Sequence, residues 1–453
     1  MTGPSPRARP WPRSICRSPT TTRRCGSRRA WRLPCLANPS NRPALVRKMR
    51  RTSSIVAGLE TGTSKVCVTV GEVSGDGSVR VLGVGQSKSR GVRKGEIVDS
   101  SAAAEDIREA IVEAETSADV EITSLFLGVT GNHMVGLNSH ATHPIVSEGR
   151  VITEEDVQEV IKNAKIISLP HENSVVHIVR QHFTVNGQSG IVNPAGMVAN
   201  AVEADVHIFH GNYNRIQSAI HLVKGLQFEV EDVVFNGIAS SLSVLTHEQK
   251  ELGTLVLDLG AGCSEYVAYS KGIIKHSGVL AVGGDHVSND LAYGLKVPLG
   301  RAEQLKIDHG CAFVDPSTHS GMLELPSDVG LPPRSVNLEH LARIMSMRLE
   351  ETLELIEQDL SSTGVMDYLR GGVVLTGGAS RVPGLDTLAA RIFRMNVYRG
   401  RPSTLEGLPS NLQQAEFATP LGLLKFGAFR MGPRPAWAER VKGRLKRFVF
   451  GRA

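Results

Sequence analysis

The chain has 453 residues, 41% hydrophobic and 21% charged, with a formal net charge of +6. That length exceeds a single hydrophobic core and implies several domains of ordinary globular composition. The charge is uneven: residues 1–50 hold twelve arginines, one lysine and no acid, which is +13 and leaves −7 for the rest, so the body lacks the basic footprint of a nucleic-acid binder.

Eight prolines and no long apolar run keep that first arm from building a core, and residues 1–52 are expected to be disordered. The arm reads either as an Arg-rich transit peptide, against which its prolines count, or as an over-extended start with Met49 as the true first residue. Three of the six cysteines lie there. The others, Cys67, Cys263 and Cys311, are scattered, which fits a reducing compartment without a disulfide framework. No stretch approaches the ~18 apolar residues of a spanning helix.

Past the arm, an apolar strand at 54–57 leads into Gly58-Leu59-Glu60-Thr61-Gly62-Thr63-Ser64-Lys65 and a second strand at 66–70. A strand at 79–85, a basic loop at 89–95, a helix capped by Ser100 or Ser101 and running to 117, and a strand at 125–130 follow. Three strands, a helix and a strand are the opening of a ribonuclease-H-like fold. A different unit occupies 131–207, with a helix opened by Thr153-Glu154-Glu155-Asp156 and strands at 175–179, 182–185 and 202–208. This is an α+β module inserted into the first domain. The parent domain resumes with a helix at 213–224, a strand at 230–235 and a helix at 238–245.

The second half repeats the opening. A strand at 254–257 leads into Asp258-Leu259-Gly260-Ala261-Gly262-Cys263-Ser264 and a strand at 265–269, 198 residues after the first acid. Each hairpin joins a β-branched run, an acid and a glycine turn carrying a hydroxyl or thiol. Such glycines let backbone N–H groups converge on an anion, and the acids suit a hydrated Mg²⁺ beside phosphates. The repeat therefore predicts two halves of one phosphate clamp. Helices at 281–294, 301–309 and 338–362 follow, the last two separated by a loop region. A strand at 373–375, the turn Thr376-Gly377-Gly378-Ala379-Ser380 and helices at 384–394 and 420–430 close the body.

The tail restarts after Gly432-Pro433-Arg434-Pro435. At ~100° per residue, Trp437, Val441, Leu445, Phe448 and Val449 share one arc, with Arg440, Arg444, Lys446 and Arg447 around it. This predicts an interfacial amphipathic helix over 431–453 including its linker, too short and charged to span a bilayer. Each basic residue near anionic lipid adds ~1 kcal/mol, and assembly multiplies weak binding by avidity.

Taken in order, 58–65, 258–264 and 375–380 resemble the two phosphate motifs and the adenosine motif of the actin-like ATPases. With 89–95 and 235–245, they are similar to the bacterial cell-division FtsA family over about 53–430. The resemblance implies an actin-like, two-lobed α/β fold with an inserted α+β subdomain and a C-terminal amphipathic helix. Its domains would be 53–130 with 208–250, the module 131–207, 251–282 with 361–430, and 283–360. It implies ATP faced by Gly62, Thr63, Ser64 and Lys65 from one side and by Gly260, Ala261, Gly262 and Gly284 from the other. Glu303 and Lys306 would contact ribose and adenine, with Gly377, Gly378 and Ala379 letting adenosine approach the backbone. Glu60 and Asp258 would hold Mg²⁺ through water.

The family places a Glu or Gln near the start of the 235–245 helix to orient water; here Asn236 and Gly237 stand there. The resemblance therefore implies ATP binding with weak or absent hydrolysis and no assigned catalytic residue. Its partners would be the C-terminal peptide of FtsZ, further copies of the chain, anionic lipids and later division proteins, at the cytoplasmic face of the inner membrane at the division site. A pilus-assembly scaffold or a sugar kinase or exopolyphosphatase of the same fold is the alternative.

Overall fold

The computed structural model describes residues 54–146, 148–313, 321–325, 333–402, 405 and 408–431. The basic arm and the predicted membrane-binding tail lie outside them. Strands β1 (Ser54–Thr61), β2 (Lys65–Val73) and β3 (Val79–Lys88) are followed by the short ladder β4 (Val92–Arg93) and β5 (Glu96–Ile97), helix α1 (Ser100–Ala118) and β6 (Ser124–Val129). The inserted module contains β7 (Val135–Pro144), α2 (Glu154–Ala164), β8 (Asn173–Val185), β9 (Gln188–Ile191) and β10 (Ala201–Asn212). The chain then returns through α3 (Tyr213–Gly225), β11 (Glu229–Phe235), α4 (Asn236–Val244) and α5 (His247–Leu252).

The second lobe opens with β12 (Leu255–Leu259), β13 (Ser264–Ser270) and β14 (Ile273–Leu280), then α6 (Gly284–Leu295) and α7 (Leu299–His309). A small hairpin of β15 (Met322–Leu325) and β16 (Arg334–Asn337) precedes the long helix α8 (Leu338–Ser362). Strand β17 (Val373–Thr376), helix α9 (Leu385–Phe393), strand β18 (Val397–Arg399) and helix α10 (Ala418–Met431) complete it.

The two large sheets repeat one topology. The first has the order β11-β6-β1-β2-β3 and the second β18-β17-β12-β13-β14. In each, three antiparallel strands from one meander adjoin two parallel ones. The meander is local in sequence, whereas the parallel strands need helical crossovers. The module forms its own antiparallel sheet, β7-β10-β8-β9, and packs Val157 and Val160 of α2 against Phe183, Val202 and Ala204.

Some local expectations are corrected. The first helix is capped by Asp99, whose carboxylate accepts from the Ser101 and Ala102 amides, because Ser100 is already helical. The capping box at Thr153 and Asp156 forms as the sequence suggests. The two strands expected at 175–179 and 182–185 are one, β8, since pairing with β10 runs through Arg180 and resumes at Phe183 across a bulge at Gln181 and His182. Strands β7 and β14 were not anticipated. The Gly, Asn, Ser, His and Pro residues of β7 have weak intrinsic strand preference and β10 holds them, while in β14 a polar stretch at 275–278 separates the strand-forming Ile273–Ile274 and Val279–Leu280.

Helix α10 crosses α4 at backbone contact. A Cβ on Gly422 would lie 1.7 Å from the Ala239 carbonyl oxygen. In an exposed helix, Gly→Ala stabilises by ~1 kcal/mol; here the clash reverses the sign. Gly422→Ala is expected to lower stability by about 1–3 kcal/mol, read as a fall in thermal midpoint. A raised midpoint would contradict this packing.

Candidate functional site

The two glycine turns face each other. The first follows β1 and the second follows β12, and both open onto a cavity of about 580 Å³ between the lobes. Glu60, Gly62, Thr63, Ser64 and Lys65 line one side; Asp258, Gly260, Ala261 and Gly262 line the other. Gly284, Glu303, Lys306, Gly377, Gly378 and Ala379 line the same cavity. The structure thus brings together every body residue singled out for cofactor or metal contact. The tail residues from Trp437 to Val449 lie outside the described residues.

Glycine is a steric requirement at several of these points. A Cβ on Gly262 would sit 2.3 Å from Thr63 Oγ1 and 2.8 Å from Lys94 Cα, so the turns and the 89–95 loop meet without room for a side chain. The Gly95 amide donates to Thr63 Oγ1 at 3.1 Å, and Cys263 Sγ donates to the Lys94 carbonyl at 3.0 Å. Gly377 has φ +83°, and a Cβ there would lie 2.3 Å from Asp258 Oδ1. The amides of Gly284 and Asp285 donate to the carbonyls of Gly260 and Ala261, both at 2.9 Å, tying the start of α6 to the second turn.

The far end of the cavity is polar but paired. Lys306 Nζ donates to Glu303 at 2.7 Å and to the Gly284 carbonyl at 3.1 Å, and Glu303 also accepts from Ser288. Arg381, on the cavity wall, pairs with Glu416 at 2.8 Å. Lys65 donates to Gln86 and lies 3.9 Å from the Phe417 ring centroid.

The floor carries a residue that the sequence reading missed. Glu265 of β13 lines the cavity and accepts from Thr130 Oγ1 of the opposite lobe. The ladder pairs Asp258 directly with Glu265, as it pairs Glu60 with Cys67 in the first lobe. A signal existed: a hairpin closed by residues 260–263 places 258 opposite 265, and facing like charges are unfavourable unless they serve something.

Burial dominates the electrostatics of this floor. It pushes the Glu60 carboxyl up to about 8, with Lys65 opposing and Asp258 adding to the rise. It pushes Glu265 up to about 8, helped by the charges of Asp258 and Glu60 and opposed by the Thr130 hydrogen bond. Asp258 is raised by burial, against a hydrogen bond from Thr419 Oγ1 at 2.7 Å.

Glu60 Oε2 and Asn236 Oδ1 are buried with no hydrogen-bond partner among the described residues. Two orphaned oxygens beside clustered carboxylates suit a cation that brings its own water. Among the described residues, no group of three or more His, Cys, Asp or Glu is placed to hold a metal directly. No described helix is long and apolar enough to cross a membrane.

A family profile described as cell division protein FtsA matches residues 255–422, and one described as the SHS2 domain inserted in FtsA matches 131–210. The cell division protein FtsA of Pseudomonas aeruginosa is 34% identical over 377 residues, 83% of this chain and 90% of its own. The chain belongs to the FtsA family of cell-division proteins. FtsA of Escherichia coli K12 is 36% identical over 380 residues, 82% of this chain and 90% of its own. Among solved structures, the PilM-PilN type IV pilus biogenesis complex matches with TM-score 0.59 at 18% identity, covering 82% of this chain and 98% of that one. The FtsA architecture here is the actin-like two-lobed fold with an inserted α+β module.

In the ligand-free chain, Glu60 keeps its proton between its ordinary 4.5 and about 8, where the unfolded chain has lost it. The native state therefore loses stability as pH rises through that window. Glu60→Gln is expected to reduce the decline in thermal midpoint across it, leaving the part that Glu265 contributes over the same window. An undiminished decline would show that Glu60 is not the group responsible.

Proposed function

We propose that the chain binds ATP with Mg²⁺ between its lobes, assembles with further copies of itself, and tethers FtsZ filaments to the cytoplasmic face of the inner membrane at the division site. The ATP reading is carried by one observation: two topologically equivalent hairpins aim their glycine turns and acids into one cavity. Backbone amides of Gly62–Ser64 and Gly260–Gly262 would hold the phosphates, as such turns favour anions. Glu60 and Asp258 would hold the Mg²⁺ water shell, with Asn236 Oδ1 accepting from it. Glu303, Lys306 and Gly377–Ala379 would enclose the nucleoside.

ATP acts in this reading mainly as a structural ligand that sets lobe closure. Helix α4 offers Asn236 where a carboxylate would activate water, and Glu265 is engaged by Thr130. Hydrolysis would accordingly be slow or absent. Membership of a division family supports the tethering role, as does the amphipathic pattern of residues 436–453 toward anionic lipid. Residues 283–360 would receive the FtsZ C-terminal peptide. The module would contact neighbouring copies or later division proteins.

Two measurements test the reading. Gly377→Val should push Asp258 aside and weaken ATP binding at least about tenfold, equivalent to ~1.4 kcal/mol, by calorimetric titration with thermal unfolding as the folding control. Wild-type affinity in the variant would remove the proposed adenosine turn. Full-length chain should carry FtsZ down with anionic liposomes, and a chain ending at Arg430 should not. Equal recruitment by both would rule out the tail as anchor.

A further inference from the structure

The inserted module enters and leaves the chain within the first lobe, yet a network of its side-chain hydrogen bonds reaches the second. Three of its strands contribute side chains toward β14, the outer strand of the second sheet. His207 of β10 lies 2.8 Å from Ser277 Oγ through Nε2 and 2.7 Å from Asn138 Oδ1 through Nδ1. Gln181 of β8 donates to the Ile274 carbonyl at 2.6 Å and to Asn138 Oδ1 at 2.9 Å. Asn138 of β7 donates to the Lys275 carbonyl at 2.8 Å. His207 and Ser277 are fully enclosed, Gln181 is buried and Asn138 closes the rim.

These contacts form one consistent network. The amide oxygen of Asn138 has no hydrogen, so His207 must donate through Nδ1 and accept the Ser277 hydroxyl through Nε2. Burial holds the imidazole neutral, pushing it down to about 3. The ladder shifts register between Ala268 and Tyr269, leaving Lys275 unpaired within β14, and that bulge frees its carbonyl for Asn138. Gly136 completes the fit, since a Cβ there would lie 2.0 Å from Ser277 Oγ.

The module meets the first lobe mainly through rings, apart from the Tyr213 amide of α3, which donates to the Glu172 carbonyl at 2.8 Å. Phe209 and Phe235 rings lie 5.1 Å apart, and the Phe235 amide donates weakly to His177 at 3.4 Å. Apolar ring contacts tolerate small rotations better than a buried hydrogen-bond network. The chain enters the module at Gly131, with φ +123°, and leaves it where the β10 ladder ends at Asn212, just before α3.

We propose that this seam fixes the inserted module to the second lobe, so that lobe closure on ATP re-aims the module relative to the first lobe. The inference rests on the reading of the interlobe cavity as the ATP site. The β7-β10-β8-β9 sheet then travels with β14, and Gly131 at the entry and the β10–α3 junction at the exit absorb the change in direction. Any surface the module offers to a partner is thereby presented according to the state of the cleft.

Spin-label distances in the full chain test this, with Cys16, Cys25, Cys35 and Cys311 replaced by serine. Labels are placed in pairs among Glu155→Cys on α2, Glu109→Cys on α1 and Thr387→Cys on α9, all exposed positions. On adding Mg²⁺ and ATP, the 109–387 and 109–155 distances should shift together while 155–387 stays fixed. A fixed 109–155 distance with a shifting 155–387 distance overturns the proposal, and so do three distances that stay fixed while a fluorescent ATP analogue binds. Failure of that analogue to bind would instead defeat the ATP reading. The seam is then decided without nucleotide. Asn138→Ala, and Asn138→Ala with Ser277→Ala, should broaden the 155–387 distribution, and unchanged widths in folded variants overturn it.

Discussion

Three carboxyl groups share the floor of the cleft, and the architecture around them is arranged to make that tolerable. Asp258 and Glu265 face each other across a ladder, with Glu60 arriving from the other lobe. Buried like charges destabilise a fold unless protons, donors or a counter-ion relieve them. Thr419 and Thr130 each give one hydrogen bond, and burial favours the protonated forms. Gly262 is glycine because the two hairpins approach until a Cβ no longer fits. Gly62 and Gly260 instead close their own turns, where a Cβ would lie 2.7 Å from the Lys65 and 2.9 Å from the Cys263 carbonyl oxygen. Gly128 lacks a side chain for a related reason: a Cβ there would lie 2.5 Å from Asn236 Oδ1.

The duplication explains why this crowding arises at all. One sheet topology, used twice, places an acid at the end of its first strand and a glycine turn immediately beyond. Facing the two copies toward one another makes a site that neither has alone. The copies are not identical: Glu60 is opposed by Cys67 and Asp258 by Glu265. The extra charge therefore sits on the second lobe alone, and the first lobe answers it with Thr130.

Much of this arrangement was legible in the chain because it is local. Glycine turns, the capping box at Thr153 and the apolar spacing of α8 depend on neighbours within a few residues. Interactions between distant segments were not. Strand β7 has little strand preference of its own, and its pairing with β10 decides it. Strand β14 carries Ile273, Ile274 and Val279, but Lys275-His276-Ser277-Gly278 interrupts them and pairing with β13 joins the two ends. Glu265 was overlooked because its meaning lies in the residue across the ladder, not in its own neighbourhood. The division-family resemblance read from the motif order agrees with the relatives at 34% and 36% identity.

Helix α10 begins where Thr419 holds Asp258 of the second lobe and ends where Arg430 pairs with Asp232 of the first. Between those ends it is wedged against α4 and β1, with Gly422, Leu423 and Gly427 at contact distance from backbone or rings. Its 14 residues make a strut of ~21 Å with no lateral slack. The point from which residues 432–453 depart is thereby surveyed from the acids themselves. Met431, where the helix ends, is a fixed coordinate of the cleft.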